Sequence, residues 1–183
     1  MTTATEIEAL APLVRYLDRL TRRASIDELR RHLGALDVSL DDVAEYLVFS
    51  PDRYTRNLYR AGPWYHLLVI CWRSGQRSPI HNHAQSTCGM KVLTGTATET
   101  VFEPTPCGLM KPVSSTDLAP GTVVATQDSD VHQISNLQSA GTDLVTLHLY
   151  SPPLLRMETF SLTSAEIGEY RPINLEHTDG SGI

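Results

Sequence analysis

From Tyr54 onward the chain breaks into short runs of valine, leucine and threonine separated by glycine, proline, serine and asparagine. Runs this short, closed by turn-forming residues, are strands. The candidates are 66–72, 89–93, 96–102, 121–126, 131–136 and 143–150, each near the usual strand length of about five or six residues. Several short strands at such spacing build a sandwich or a small barrel, so the expected fold is mainly β.

The first fifty residues follow a different period. Ile7, Leu10, Ala11, Val14, Leu17 and Leu20 lie on one helical face, with Arg15, Asp18, Arg19 and Arg22 on the other. "SIDE" at 25–28 has the form of a capping box and opens a second helix, and "SLDD" at 39–42 caps a third that ends near "FSPDR". These helices are expected to cover a hydrophobic flank of the β region. At 183 residues the chain fits one structural domain: helices over 1–50 packed on a barrel over 51–176, and a flexible polar tail over 177–183.

Composition narrows the partners. A net charge of -6 repels nucleic-acid phosphates and anionic lipid, which leaves a small-molecule ligand and no expected role on nucleic acid or membrane. Three cysteines, Cys71, Cys88 and Cys107, form no CxxC pair and suggest no disulfide framework. The start "MTTATEIEAL" has neither a basic head nor an apolar run, and "LLVICW" is far short of the roughly 20 residues of a membrane helix. A monomer in a reducing cytoplasm is the expectation. Cys71 and Trp72 read as core and Cys107 as an exposed thiol, while His32 and His66 read as structural.

The chemistry concentrates in "IHNHAQSTC" at 80–88. Alternate side chains of a strand share a face, so His81 and His83 point the same way and can grip one ion from one side. Gly75 and Gly95 bracket this segment, and "GTVVATQDSDVHQISN" supplies Gly121, His132 and Asn136 further on. Together these resemble the two motifs of the cupin superfamily. The first runs Gly, five residues, His-x-His, three or four residues, Glu, six residues, Gly; the second runs Gly, five residues, Pro-x-Gly, two residues, His, three residues, Asn. All the spacings are met, with Cys88 in the glutamate position and Gln127 and Ser129 in place of the proline and glycine. The resemblance implies a small jelly-roll barrel with His81, His83 and His132 as metal ligands. A divalent ion held by three neutral imidazoles keeps its full charge and suits an anionic thiolate.

"YTRNL" at 54–58, "CW" at 71–72 and "LHLYSPPL" at 147–154 narrow the resemblance to the cysteine dioxygenases. It implies an Fe(II) centre that oxidises L-cysteine with O2 to cysteine sulfinic acid, as in cysteine catabolism. Arg56 would pair with the substrate carboxylate, with Tyr54 beside it. A guanidinium fork matches a carboxylate bidentately. His148 and Tyr150, with Thr146, share one strand face and would serve substrate and oxygen. In the mammalian type a cysteine in the place of Cys88 forms a thioether with the tyrosine in the place of Tyr150, whereas many bacterial relatives have glycine there. Here Gly89 follows Cys88 where the mammalian type has a bulky residue. The same resemblance suggests a cis bond at Ser151-Pro152 and gives Met157 no matching place.

Other readings stay open in the sequence. Another small thiol, 3-mercaptopropionate or cysteamine, could be the substrate, although the mercaptopropionate branch usually has glutamine where Arg56 stands. Cys88 could be a buried free thiol, or a fourth ligand closing a zinc site. A non-catalytic metal-binding cupin is the reading from outside enzymology.

Overall fold

The computed structural model describes residues 6–127 and 131–176. The expected tail over 177–183 and Ser129 of the second motif lie outside these residues. The chain opens with a 3-10 turn at Glu8–Leu10 and α1 (Ala11–Leu17), which has Pro12 in its first turn, where the missing N–H has no intrahelical partner to lose. α2 (Ile26–Gly34) carries the expected capping box: the Glu28 amide donates to Ser25 Oγ, and the Ser25 amide donates to the Glu28 carboxylate at 2.8 Å.

The third helix expected after "SLDD" does not form. Its capping contacts are present, with the Ser39 amide and hydroxyl both donating to Asp42 Oδ2, but only a 3-10 turn at Ala44–Tyr46 follows. The amides bond three residues back, Val43 to Leu40, Ala44 to Asp41, Tyr46 to Val43 and Leu47 to Ala44, the tighter 3-10 pattern. The Thr55 hydroxyl and Asn57 Nδ2 donate to the Val48 carbonyl, which turns that carbonyl toward the first strand instead of along a helix axis.

The strands are β1 (Thr55–Gly62), β2 (Tyr65–Trp72), β3 (Ile80–His81), β4 (Thr87–Thr94), β5 (Ala97–Pro104), β6 (Met110–Leu118), β7 (Val123–Gln127), β8 (His132–Ser135), β9 (Leu144–Ser151), β10 (Met157–Phe160), β11 (Gly168–Tyr170) and β12 (Leu175–Glu176). They form two six-stranded sheets, in the orders β12-β1-β2-β9-β4-β7 and β11-β10-β3-β8-β5-β6. This is the cupin arrangement of two facing sheets with a core between them. The glycine brackets belong to its turns: Gly95 has φ +76°, and a Cβ there would meet the Asp143 carbonyl oxygen at 2.5 Å.

The first sheet is buried on both faces. Its outer face packs Leu67, Val69, Leu147 and Leu149 under Leu13, Leu17, Leu29 and Leu33 of the helices. Its inner face packs Leu68, Ile70, Met90 and Tyr150 toward Ile134 and Met157 across the barrel. That double burial is why "LLVICW" and all of β9 are continuous runs without a solvent-facing residue. Gly89 shows how close the layers are, because a Cβ there would lie 2.6 Å from Leu33 Cδ1. The residue after Cys88 is therefore glycine for the sake of α2.

The same helix is held at its other end by a buried cation. Lys91 reaches out of β4 so that Nζ donates to the Leu33 and Leu36 carbonyls at 3.2 and 2.5 Å, at the end of α2 where carbonyls lack intrahelical partners and the dipole favours a cation. Lys91→Met keeps the stem but removes both bonds and strands the Leu36 carbonyl, so a loss of about 1–3 kcal/mol in unfolding free energy is expected. Chemical denaturation with unchanged metal content is the check.

Candidate metal centre

His81, His83 and His132 meet inside the barrel, each buried, with one ligand atom apiece all within 4.8 Å of one another. Register explains two of them: β3 pairs with β8 so that His81 stands directly opposite His132. Strand alternation explains His83 only in part. β3 stops at His81, and His83 lies in the turn beyond it, where Ala84 takes φ +50° and the Ser86 amide donates to the His83 carbonyl. The two rings still converge, at 5.1 Å between centroids and nearly perpendicular.

The partners of the outer nitrogens fix which atoms face inward. His81 Nδ1 lies 2.9 Å from the Pro79 carbonyl and His132 Nδ1 lies 2.7 Å from Glu99 Oε1. Carbonyls and carboxylates only accept, so both Nδ1 atoms carry a proton, and a neutral ring then presents its Nε2 lone pair inward. His83 Nδ1 lies 3.3 Å from the Thr126 hydroxyl, and its Nε2 lies 3.3 Å from His132 Nε2. An ion about 2.1 Å from each nitrogen spans a separation of about 3.0–3.4 Å at ordinary ligand angles. The His83–His132 pair thus has the spacing of a divalent metal site, and the third ligand atom lies within 4.8 Å of both. Burial, with the neighbouring His132 ring, pushes His81 down to about 3, and burial lowers His83 well below the usual histidine range. Both rings are held neutral, the form that ligates.

Cys88 is not part of this group. It stands on β4 directly opposite Tyr150 on β9, buried, with its thiol pushed up to about 12 by burial. Among the described residues the site is therefore three imidazoles without a sulfur or a carboxylate in direct reach. Glu99 was not visible as a site residue in the sequence, since "TATETVF" reads as an ordinary strand with polar positions; only its pairing through β5 and β8 brings it to His132.

A second row of polar groups runs along β9. Trp72 Nε1 donates to Thr146 Oγ1 at 3.0 Å, and Arg56 Nη1 donates to the Tyr150 hydroxyl at 3.4 Å. With the Thr146 hydroxyl donating to the Ile70 carbonyl at 3.5 Å, Thr146 Oγ1 accepts from His148 Nε2–H at 3.0 Å, and in a neutral ring His148 Nδ1 then accepts from the Tyr150 hydroxyl at 3.2 Å. Burial first, then Arg56, keeps His148 well below the usual histidine range, which agrees with a neutral ring. Tyr150 is raised by burial and so stays a phenol.

Arg56 is 4% exposed and sits over the Tyr150 ring at 5.1 Å. Its Nε donates to Asn174 Oδ1 at 3.1 Å, and no partner is present for Nη2 among the described residues. Tyr54 stacks on Trp72 at 4.4 Å beside it. A small, tightly closed pocket joins these groups, lined by Arg56, Tyr54, Tyr150, His148, Met157 and the three ligand histidines. Met157, whose place the sequence left open, thus closes the wall. His66 and Cys71 take no part, Cys107 is exposed, and the Ser151-Pro152 bond is cis. No helix among the described residues is long and apolar enough to cross a membrane.

A profile of the family described as cysteine dioxygenase type I matches residues 1–163. The chain is 32% identical over 160 residues to cysteine dioxygenase type 1 of Danio rerio, covering 84% of this chain and 79% of that protein. It is 33% identical over 150 residues to the Homo sapiens protein of the same name, covering 79% and 74%. Among solved structures, a Thermus thermophilus protein aligns with a TM-score of 0.51 at 16% identity, over 63% of this chain and 98% of that one, a likeness of fold alone.

The geometry predicts the consequences of removing its parts. His132→Ala is expected to lose bound metal altogether in elemental analysis. Glu99→Gln keeps the ring but weakens its orientation and basicity, and a drop of about 10- to 100-fold in metal affinity is expected by competition with a chelator.

Proposed function

This chain belongs to the cysteine dioxygenase type I family, and from that premise we propose that it binds Fe(II) at His81, His83 and His132 and oxidises L-cysteine with O2 to cysteine sulfinic acid. The observation that carries the choice of substrate is Arg56: a buried cation with one guanidinium nitrogen unpartnered among the described residues, facing the same small cavity as the triad. A buried charge without an anion is costly, and a substrate carboxylate supplies the anion in a geometry that the planar fork matches. Iron, when bound, supplies a site for thiolate and dioxygen chemistry.

The remaining roles follow from this chain's own groups. Arg56 with Tyr54 would hold the carboxylate, which fixes the thiol end toward the three histidines. His148 would orient the Tyr150 hydroxyl by accepting its proton in a hydrogen bond, and Trp72 and Thr146 would lock the His148 ring from behind. Arg56, Trp72, Thr146, His148 and Tyr150 are buried, which strengthens each of these contacts. Cys88 and Tyr150 are direct cross-strand neighbours, and we assign them the thioether crosslink, with loss of the thiol and one ring hydrogen to O2 as oxidant during turnover. The link would wait for turnover because O2 bound for the reaction is the oxidant it needs.

Arg56→Ala is the direct test of substrate choice. Loss of a charge-assisted bidentate pair is expected to weaken L-cysteine by about tenfold or more while cysteamine, which has no carboxylate, is unaffected. Oxygen uptake by iron-loaded protein with both thiols reads this out, and unchanged saturation with cysteine would place the carboxylate elsewhere. For the crosslink, peptide mapping after many turnovers should find Cys88 and Tyr150 in one product lighter by a pair of hydrogens. Cys88→Ser should remove it while keeping turnover. Cys88 always free to alkylation would make it only a buried thiol.

A further inference from the structure

Arg56 owes its orientation to a part of the chain that the family profile does not reach. That profile ends at residue 163, whereas the partner of Arg56 Nε is Asn174, at 3.1 Å. Asn174 sits in a strap with an unusual path. β11 is the outermost strand of the second sheet, next to β10, and β12 is the outermost strand of the first, next to β1. Residues 168–176 therefore lace the two sheet edges together on the side of the barrel where Arg56 enters.

The lacing is well defined. Tyr170 pairs with Met157 across β10 and β11 and packs against the inner core cluster. Leu175 pairs with Asn57 in parallel with β1, one residue along from Arg56. Between them Asn174 is placed against the guanidinium. A cavity of about 620 Å³ is lined by Tyr54 and Arg56 together with Tyr170, Ile173 and Leu175. Arg56 thus lines both the inner pocket and this cavity, and the strap supplies part of the cavity's lining.

We propose that the strap completes the carboxylate site, with Asn174 as the positioning residue that fixes the rotation of the Arg56 guanidinium. The inference rests on the reading of Arg56 as the carboxylate holder. With Nε tied to Asn174 and Nη1 tied to the Tyr150 hydroxyl, the plane of the fork is set by two contacts and Nη2 is the donor left over. A guanidinium fixed in advance loses less rotamer freedom when the anion arrives, so binding is tighter for the same contacts. Asn174 is suited to this because a neutral amide oxygen orients the cation without neutralising it. A carboxylate in its place would compete with the substrate for the same charge.

The test compares Asn174→Ala with Arg56→Ala in iron-loaded protein, using L-cysteine, 3-mercaptopropionate and cysteamine. Dissociation constants are measured without oxygen, and KM and kcat with it. Asn174→Ala is expected to raise Kd and KM about three- to tenfold for the two thiols that carry a carboxylate, with kcat at the wild-type value and cysteamine unchanged. Equal weakening of all three thiols would show a general structural role and overturn the proposal. So would an unchanged cysteine Kd in Asn174→Ala while Arg56→Ala weakens both carboxylates, which would leave the function of Arg56 standing. If Arg56→Ala itself leaves all three thiols unchanged, the carboxylate reading fails and the strap proposal falls with it.

Discussion

The buried guanidinium of Arg56 is the constraint on which the interior of this barrel depends. A cation in the core is tolerated only where the surroundings orient dipoles toward it or an anion joins it. Here its near partners are neutral: a phenol that stays protonated, an amide oxygen and an aromatic face. The same positive charge helps to keep His83 and His148 uncharged, after burial itself. A cationic donor left over on Arg56 beside three convergent imidazoles is the feature behind the proposal of a substrate that is anionic at one end and metal-seeking at the other.

The scaffold meets that demand by burying one sheet on both sides. Because helices cover its outer face, β9 can devote its inner face to Thr146, His148 and Tyr150 without losing stability, the outer residues Leu147 and Leu149 supplying the apolar contacts. The polar row is satisfied from end to end by donor-only and acceptor-only groups, so its direction is set before any substrate binds. Glu99 does the same for His132 from the opposite sheet. It also places one carboxylate just outside a metal site that has lost the carboxylate ligand of the wider cupin pattern.

Much of this was legible in the sequence because the signals were local. Strands β2, β4, β5, β7, β8 and β9 fell where apolar runs lay between turn residues, and the capping box at Ser25 and Glu28 formed as its spacing implied. The three histidines were found through fixed spacings that mirror turns and register. What escaped was set by tertiary contact. β1 reads as polar because Thr55, Arg56 and Asn57 are buried for interior contacts rather than packing. β6 is an exposed edge strand with Pro112 and few apolar residues, so it lacks the usual pattern. The third helix tightened into a 3-10 turn just before the Val48 carbonyl that Thr55 and Asn57 hold, and Glu99 and Asn174 reach the site only through pairings distant in sequence.

Turnover of iron-loaded protein under heavy-isotope dioxygen, with the sulfinic acid product weighed by mass spectrometry, tests most directly whether the triad and Arg56 together direct both atoms of one O2 molecule to the sulfur of L-cysteine. The expected product carries both labelled atoms, with little cystine formed. Product with label from only one atom, or cystine as the main product with the oxygen reduced elsewhere, would contradict that role.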